Sequence, residues 1–134
     1  MLQFFGEKCP KTVENFCTYS RRGYYNGLTF HRVIESFMIQ TGDPSGKGTG
    51  GESIWGEDFE DEFHPFQGFH FAVSMSSDGA GGSQFFVTKV SLDQGGWSSE
   101  TFGSVFSGFD VVSNVYDQLE DPHAIIQIVK ISIL

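Results

Sequence analysis

Apolar and polar positions along the 134-residue chain recur at two periods. Residues 2–5 (LQFF) are a short apolar run closed by Gly6 and predict a strand. Pro10 then stands where the first turn of a helix tolerates it, and Val13, Phe16 and Cys17 follow at i, i+3 and i+4. This spacing predicts a helix of about three turns with one face on a core, ending near Gly23. Tyr24, Tyr25 and the Asn26-Gly27 pair make a turn. From residue 28 to residue 40 the β-branched and aromatic content of strand returns, broken by a turn-like Glu35-Ser36. Counting by two puts Phe30 and Arg32 on one face before the turn, and Met38 with Gln40 after it.

Further on, residues 43–51 are too rich in glycine for a regular element. Residues 42–48 (GDPSGKG) fall one residue short of a phosphate-binding loop, and Gly48 stands where Ser or Thr is needed, so that reading is rejected. The acidic stretch 57–62 lacks the alternating ligands and central glycine of a calcium loop and reads as a solvated surface. Residues 69–75 alternate as a strand, 76–82 form a polar loop, 83–87 a strand, and 91–101 a loop carrying Trp97. Val112, Val115, Tyr116 and Leu119 repeat at helical spacing within 109–119 and predict a second helix. The closing run 124–134 (AIIQIVKISIL) is apolar in both phases, as in a strand covered on both faces. Short strands with two separated helices point to one mainly β domain over residues 1–134, a small barrel.

Composition changes this picture little. Apolar residues make up 39% and aromatic ones 16%, with fifteen Phe, which fits a globular chain rather than a disordered one. No uncharged apolar run is long enough for a membrane span, and the N-terminus lacks a basic-then-apolar leader, so an intracellular location, cytoplasmic or nuclear, is expected. Cys9 and Cys17 are expected to be free thiols, and a metal site would need more ligands. The net charge of −9 argues against binding to nucleic acid through its backbone.

Candidate chemistry concentrates in residues 30–56, FHRVIESFMIQTGDPSGKGTGGESIWG. On spacing alone Arg32 is either a strand arginine snorkelling to solvent or a presented cation, and Phe37, Met38 and Phe86 are either core filling or the wall of a pocket. The words FHRVI, FM-Q-GD and GTGGESIWG, with GSQFF at residues 82–86 and FG-V at 102–105, resemble the signatures of the cyclophilins, the peptidyl-prolyl cis-trans isomerases. The similarity runs from about Leu2 to the C-terminus. CPKTVENF, GYYNG and FEDEFH further resemble the cyclophilin domain that follows a WD40-repeat region in some larger nuclear proteins.

The resemblance implies a closed antiparallel eight-stranded barrel with a helix capping each end, the family's first strand being absent before Leu2. It also implies catalysis of X-Pro rotation by Arg32 without metal or cofactor. Phe37, Met38, Phe86 and Leu92 would hold the proline ring, Gln40 would bond the substrate backbone, and Gln84 would position Arg32 and line the groove. The backbone at Ser76 and Ser77 would pair with substrate, and His31 would pack or orient a neighbour rather than move a proton. The expected partners are proline-containing peptides or proteins.

Three features depart from the family pattern. Ser76-Ser77-Asp78-Gly79 replaces Ala-Asn-Ala-Gly in a shortened loop. SLDQGGWSS replaces a stretch whose Trp position falls on Ser91, so weak cyclosporin binding is expected. The third is the missing first strand. These departures leave a second reading, a proline-peptide-binding module with little turnover in a larger assembly, the spliceosome among the candidates.

Overall fold

In a computed structural model, which describes residues 1–34, 36–64, 69–76, 82–91 and 100–119, the apolar runs become six strands and two helices. In chain order these are β1 (Leu2–Phe4), α1 (Pro10–Arg21), β2 (Arg32–Ile34), β3 (Met38–Thr41), β4 (Ala72–Met75), β5 (Phe85–Thr88), β6 (Glu100–Val105) and α2 (Phe109–Leu119). All six strands join one antiparallel sheet in the order β1-β6-β4-β5-β3-β2. The mainly β class and the two helices agree with the sequence reading. The apolar run 124–134, expected to supply a further strand, lies outside the described residues.

Helix α1 forms where the 3.6-residue pattern places it. Pro10 occupies its first turn, Thr12, Asn15, Phe16, Cys17, Tyr19 and Ser20 are buried, and Arg22 ends it in a right-handed turn. Phe16 is fully buried, with the rings of Phe4, Tyr25, Phe85 and Phe102 centred 5.1–5.4 Å from its own. Removing such a side chain from water is worth about 1.5–3 kcal/mol, so this aromatic cluster anchors the helix to the sheet. Ile39, Val73, Met75, Phe85 and Val87 complete the core. Both cysteines are free and buried, and burial, the largest cause, pushes the Cys9 thiol up to about 11.

Two elements differ from expectation. The spacing predicts a loop to residue 101, yet β6 begins at Glu100, is the longest of the described strands and lies between β1 and β4. Its low strand propensity comes from Gly103, where a Cβ would sit 2.7 Å from the Gln3 carbonyl oxygen and 2.9 Å from the Phe4 ring. The close approach of β1 demands glycine, and pairing on both sides overrides propensity. Opposite β4, Val73 pairs with Gly103 and Ser74 with Thr101, so Phe102 is an inserted bulge residue.

The acidic stretch 57–62 is the second difference, because Glu62 is not merely solvated. Cys9, at the N-cap of α1, makes no capping side-chain bond. Glu62 replaces it: its Oε1 accepts the Thr12 backbone N–H at 2.7 Å and the Thr12 hydroxyl at 2.9 Å, and its Oε2 accepts the Lys11 N–H at 3.3 Å. A carboxylate is favoured there because a helix leaves its first N–H groups unpaired.

Candidate active site

Strand register builds the site from the sheet outward. Arg32 on β2 pairs with Gln40 on β3, Gln40 with Phe86 on β5, and Phe86 with Ser74 on β4. Directly paired residues project to the same side, so one lateral row carries Arg32, Gln40, Phe86 and Ser74. Met38, two residues before Gln40, shares that face, whereas Ile39, Val73 and Val87 point the other way into the core. The sequence count by two thus places Met38 and Gln40 together, and pairing brings in the arginine.

Phe37 lies outside this row, in the turn that joins Ile34 to Met38. Its N–H donates to the Ile34 carbonyl at 3.0 Å, and its own carbonyl accepts the Lys89 N–H at 2.8 Å. Ser36 in the same turn has φ of 58°, the left-handed conformation that such short hairpin loops require. Phe37 and Phe86 are half-buried, while Met38 is 4% exposed. Ser77 and Leu92, like Trp97, lie outside the described residues.

Arg32 is exposed, and its Nη1 donates to Gln40 Oε1 at 3.4 Å. Behind it the polar groups form a chain. Gln40 Nε2 donates to Gln84 Oε1 at 2.8 Å and to the Ser76 hydroxyl oxygen at 3.1 Å; Gln84 Nε2 donates to the Gly50 carbonyl at 2.9 Å. Gln40 is 3% exposed and Gln84 1% exposed. Gln84 therefore stands one hydrogen bond behind Gln40. Both Nε2 protons of Gln40 thus have partners within the protein. Alternation along β5 sets Gln84 beside Phe86, but its depth depends on the glycine-rich loop and could not be read from spacing.

That loop is organised by Asp43, a residue the sequence reading did not single out. Its carboxylate accepts the Ser45 N–H and hydroxyl, the Gly48 N–H and the Gly50 N–H at 2.5–3.2 Å. Burial works against ionisation here, but these donors outweigh it and hold the carboxyl down at about 2. An aspartate opening a glycine-rich run is the signal that could have found it. His31 lies under the loop, its Cδ2 3.5 Å from where a Gly48 Cβ would be. Burial is the main cause lowering its pKa; Asp43 and Gln84 oppose that shift and Arg32 adds to it. Neither ring nitrogen has a geometric hydrogen-bond partner among the described residues.

A surface cavity of about 570 Å³ lies elsewhere, between the start of α1 and the acidic stretch, lined by Lys11, Glu14, Trp55, Glu57, Asp58, Phe59 and Glu60. None of the described candidate residues lines it. What the row can do is chemically narrow: it offers an exposed guanidinium on the same face as an aromatic and a thioether side chain, with buried amides behind.

Comparison with known proteins agrees with the motifs. Residues 1–133 match the family model described as cyclophilin type peptidyl-prolyl cis-trans isomerase/CLD. The chain is 45% identical over 141 residues to the mouse (Mus musculus) peptidylprolyl isomerase domain and WD repeat-containing protein 1, covering 98% of this chain and 22% of that protein. It therefore spans about a fifth of the length of that relative. It is also 45% identical over 119 residues to peptidyl-prolyl cis-trans isomerase-like 1 of Bos taurus, covering 86% of this chain and 72% of that one. Among solved structures, a Cryptosporidium parvum cyclophilin type peptidyl-prolyl cis-trans isomerase, crystallised in the presence of the dipeptide Ala-Pro, superimposes with a TM-score of 0.81 at 38% identity. The likeness covers 87% of this chain and 78% of that one.

Proposed function

The chain belongs to the cyclophilin-type peptidyl-prolyl cis-trans isomerase family, and on that premise we propose that it accelerates rotation about X-Pro bonds in protein substrates, with Arg32 as the catalytic residue. The amide resists rotation because resonance stiffens it, with a barrier of about 18–20 kcal/mol. A catalyst must favour the twisted amide over both planar forms. Twisting breaks conjugation and leaves a lone pair on the proline nitrogen that can accept a hydrogen bond. A guanidinium is always charged and donates in a fixed geometry, so it stabilises this state more than either planar one. Lowering the barrier by about 7 kcal/mol would give a gain on the order of 10⁵ in rate.

The observation that carries this reading is the lateral row in which Arg32, Gln40 and Phe86 stand side by side, with Met38 on the same face. In this proposal Phe86, Met38 and Phe37 receive the pyrrolidine ring, Gln40 and Gln84 fix the guanidinium, and proline-containing peptides are the substrate class. The Ala-Pro dipeptide with which the Cryptosporidium parvum relative was crystallised supports that class.

The test is turnover of a proline-containing tetrapeptide. Arg32→Ala should lower kcat/KM by about 10²–10³-fold while the fold, read by circular dichroism, is unchanged. Arg32→Lys should recover only part, because a point charge lacks the fork. Turnover by Arg32→Ala at the parent rate would remove Arg32 from the mechanism.

A further inference from the structure

The amide chain behind Arg32 has a direction, and one end of it is not a glutamine. Gly50 presents a carbonyl, which can only accept, so Gln84 must turn its NH₂ toward Gly50 and its Oε1 toward Gln40. Gln40 must then turn its NH₂ toward Gln84 and its Oε1 toward Arg32. Gly50 is itself held through its N–H, 3.2 Å from Asp43 Oδ2. The polarity of every amide between the glycine-rich loop and the guanidinium is thus fixed by one backbone carbonyl. A single bond to Gln84 would still leave the Gln40 amide plane able to swing about that contact. The second Nε2 proton prevents this, because it reaches the Ser76 hydroxyl at 3.1 Å. Ser76 is placed by its own backbone, whose N–H donates to the Gln84 carbonyl at 3.1 Å just beyond the end of β4.

We infer that the Ser76 hydroxyl is a positioning residue that locks the Gln40 amide and, through it, the Arg32 guanidinium. This inference rests on the isomerase reading above and adds a side-chain role at a position where that reading uses only backbone. An alanine there has no acceptor for the second Gln40 proton. The amide then gains a swinging degree of freedom, and Arg32 loses a fixed acceptor at Nη1. The loss falls on transition-state stabilisation and not on ring binding, so kcat and kcat/KM drop together while KM holds.

Ser76→Ala should lower kcat about 3–10-fold, the range expected for one neutral hydrogen bond, with KM unchanged. Ser76→Thr, which keeps the oxygen, should restore it. In the ¹H–¹⁵N spectrum one of the two Gln40 side-chain amide protons should move upfield in Ser76→Ala and return in Ser76→Thr. In a Gln40→Met background Ser76→Ala should have no further effect, because the two act as one unit.

Parent-like kcat and unmoved Gln40 resonances in Ser76→Ala, with Arg32→Ala inactive in the same assay, would overturn this inference and leave the isomerase reading standing. A Ser76→Ala loss that persists undiminished without Gln40 would overturn it too. If Arg32→Ala instead turns over like the parent, the isomerase mechanism fails, and the Gln40 proton shift alone decides whether Ser76 orients that amide.

Discussion

Gly42 stands two residues after Gln40 with φ of 96°, where the end of β3 passes against Ser83 and Gln84. A Cβ there would run into the Ser83 carbonyl oxygen and lie 3.0 Å from the Gln84 Cα, both of them backbone atoms that cannot rotate aside. Gly42→Ala should therefore cost about 1–3 kcal/mol from the left-handed conformation, with the clash added to it. Because the clash falls on the Ser83–Gln84 backbone, turnover should fall as well as melting temperature. A variant that melts lower yet keeps parent turnover per folded molecule would separate Gly42 from the amide chain. At this scale the sequence exposed the residues but not their depth. FHR, FM-Q and QFF are visible as words, and counting by two pairs Met38 with Gln40. That Gln84 is buried against Gly50, or that Asp43 gathers the loop, depends on contacts between segments more than thirty residues apart or on a non-repeating loop geometry, which no periodicity encodes.

Helix α1 shows what an element owes to distant chain. Its apolar spacing and Pro10 made it legible, and its bounds fall within two residues of the expected end. Its N-terminal cap was not legible, because Glu62 reaches it from fifty residues away while Cys9, at the capping position, has no suitable oxygen. Loss of a cap costs about 0.5–2 kcal/mol, so Glu62→Ala should lower stability by about that amount in urea unfolding, with the slope unchanged. Glu62→Gln should lose less, since a side-chain carbonyl still accepts the Thr12 N–H. Equal stability of Glu62→Ala and the parent would mean that water replaces the cap. Strand β6 is the opposite case, an element with little local signal. Gly103 weakens its propensity and Phe102 breaks its alternation, yet both are dictated by partners, the first by the approach of β1 and the second by the bulge against β4. The resemblance to FG-V marked the segment, whereas the pattern of the residues did not.

At the scale of the whole molecule, two carboxyl groups among the described residues give stability opposite pH slopes. Asp43, held down at about 2 from an ordinary 3.8, favours the folded state fully above 3.8, and that contribution is lost as pH falls through about 2. Glu100 is 4% exposed and pushed up to about 7 from 4.5, chiefly by burial and then by Asp61 and Glu62, with Thr12 opposing. The Thr12 hydroxyl has one hydrogen and lies against both Glu62 Oε1 and Glu100 Oε1, so a proton on Glu100 would pair the second contact. For a carboxyl raised in the folded state, stability is complete below 4.5 and declines as pH rises through about 7. The two effects leave a maximum near pH 4–5, with stability falling toward neutrality. The net charge of −9 steepens that fall through self-repulsion. Glu100→Gln isolates the local part, because an amide stays neutral throughout and its NH₂ still donates to the Thr12 hydroxyl. Melting temperature measured from pH 3 to pH 8 should peak on the acid side for the parent, and the decline above pH 4.5 should be shallower for Glu100→Gln, whose melting point then exceeds the parent's at pH 8. Parallel curves above pH 4.5 would place the proton elsewhere in the cluster formed by Thr12, Asp61, Glu62 and Glu100.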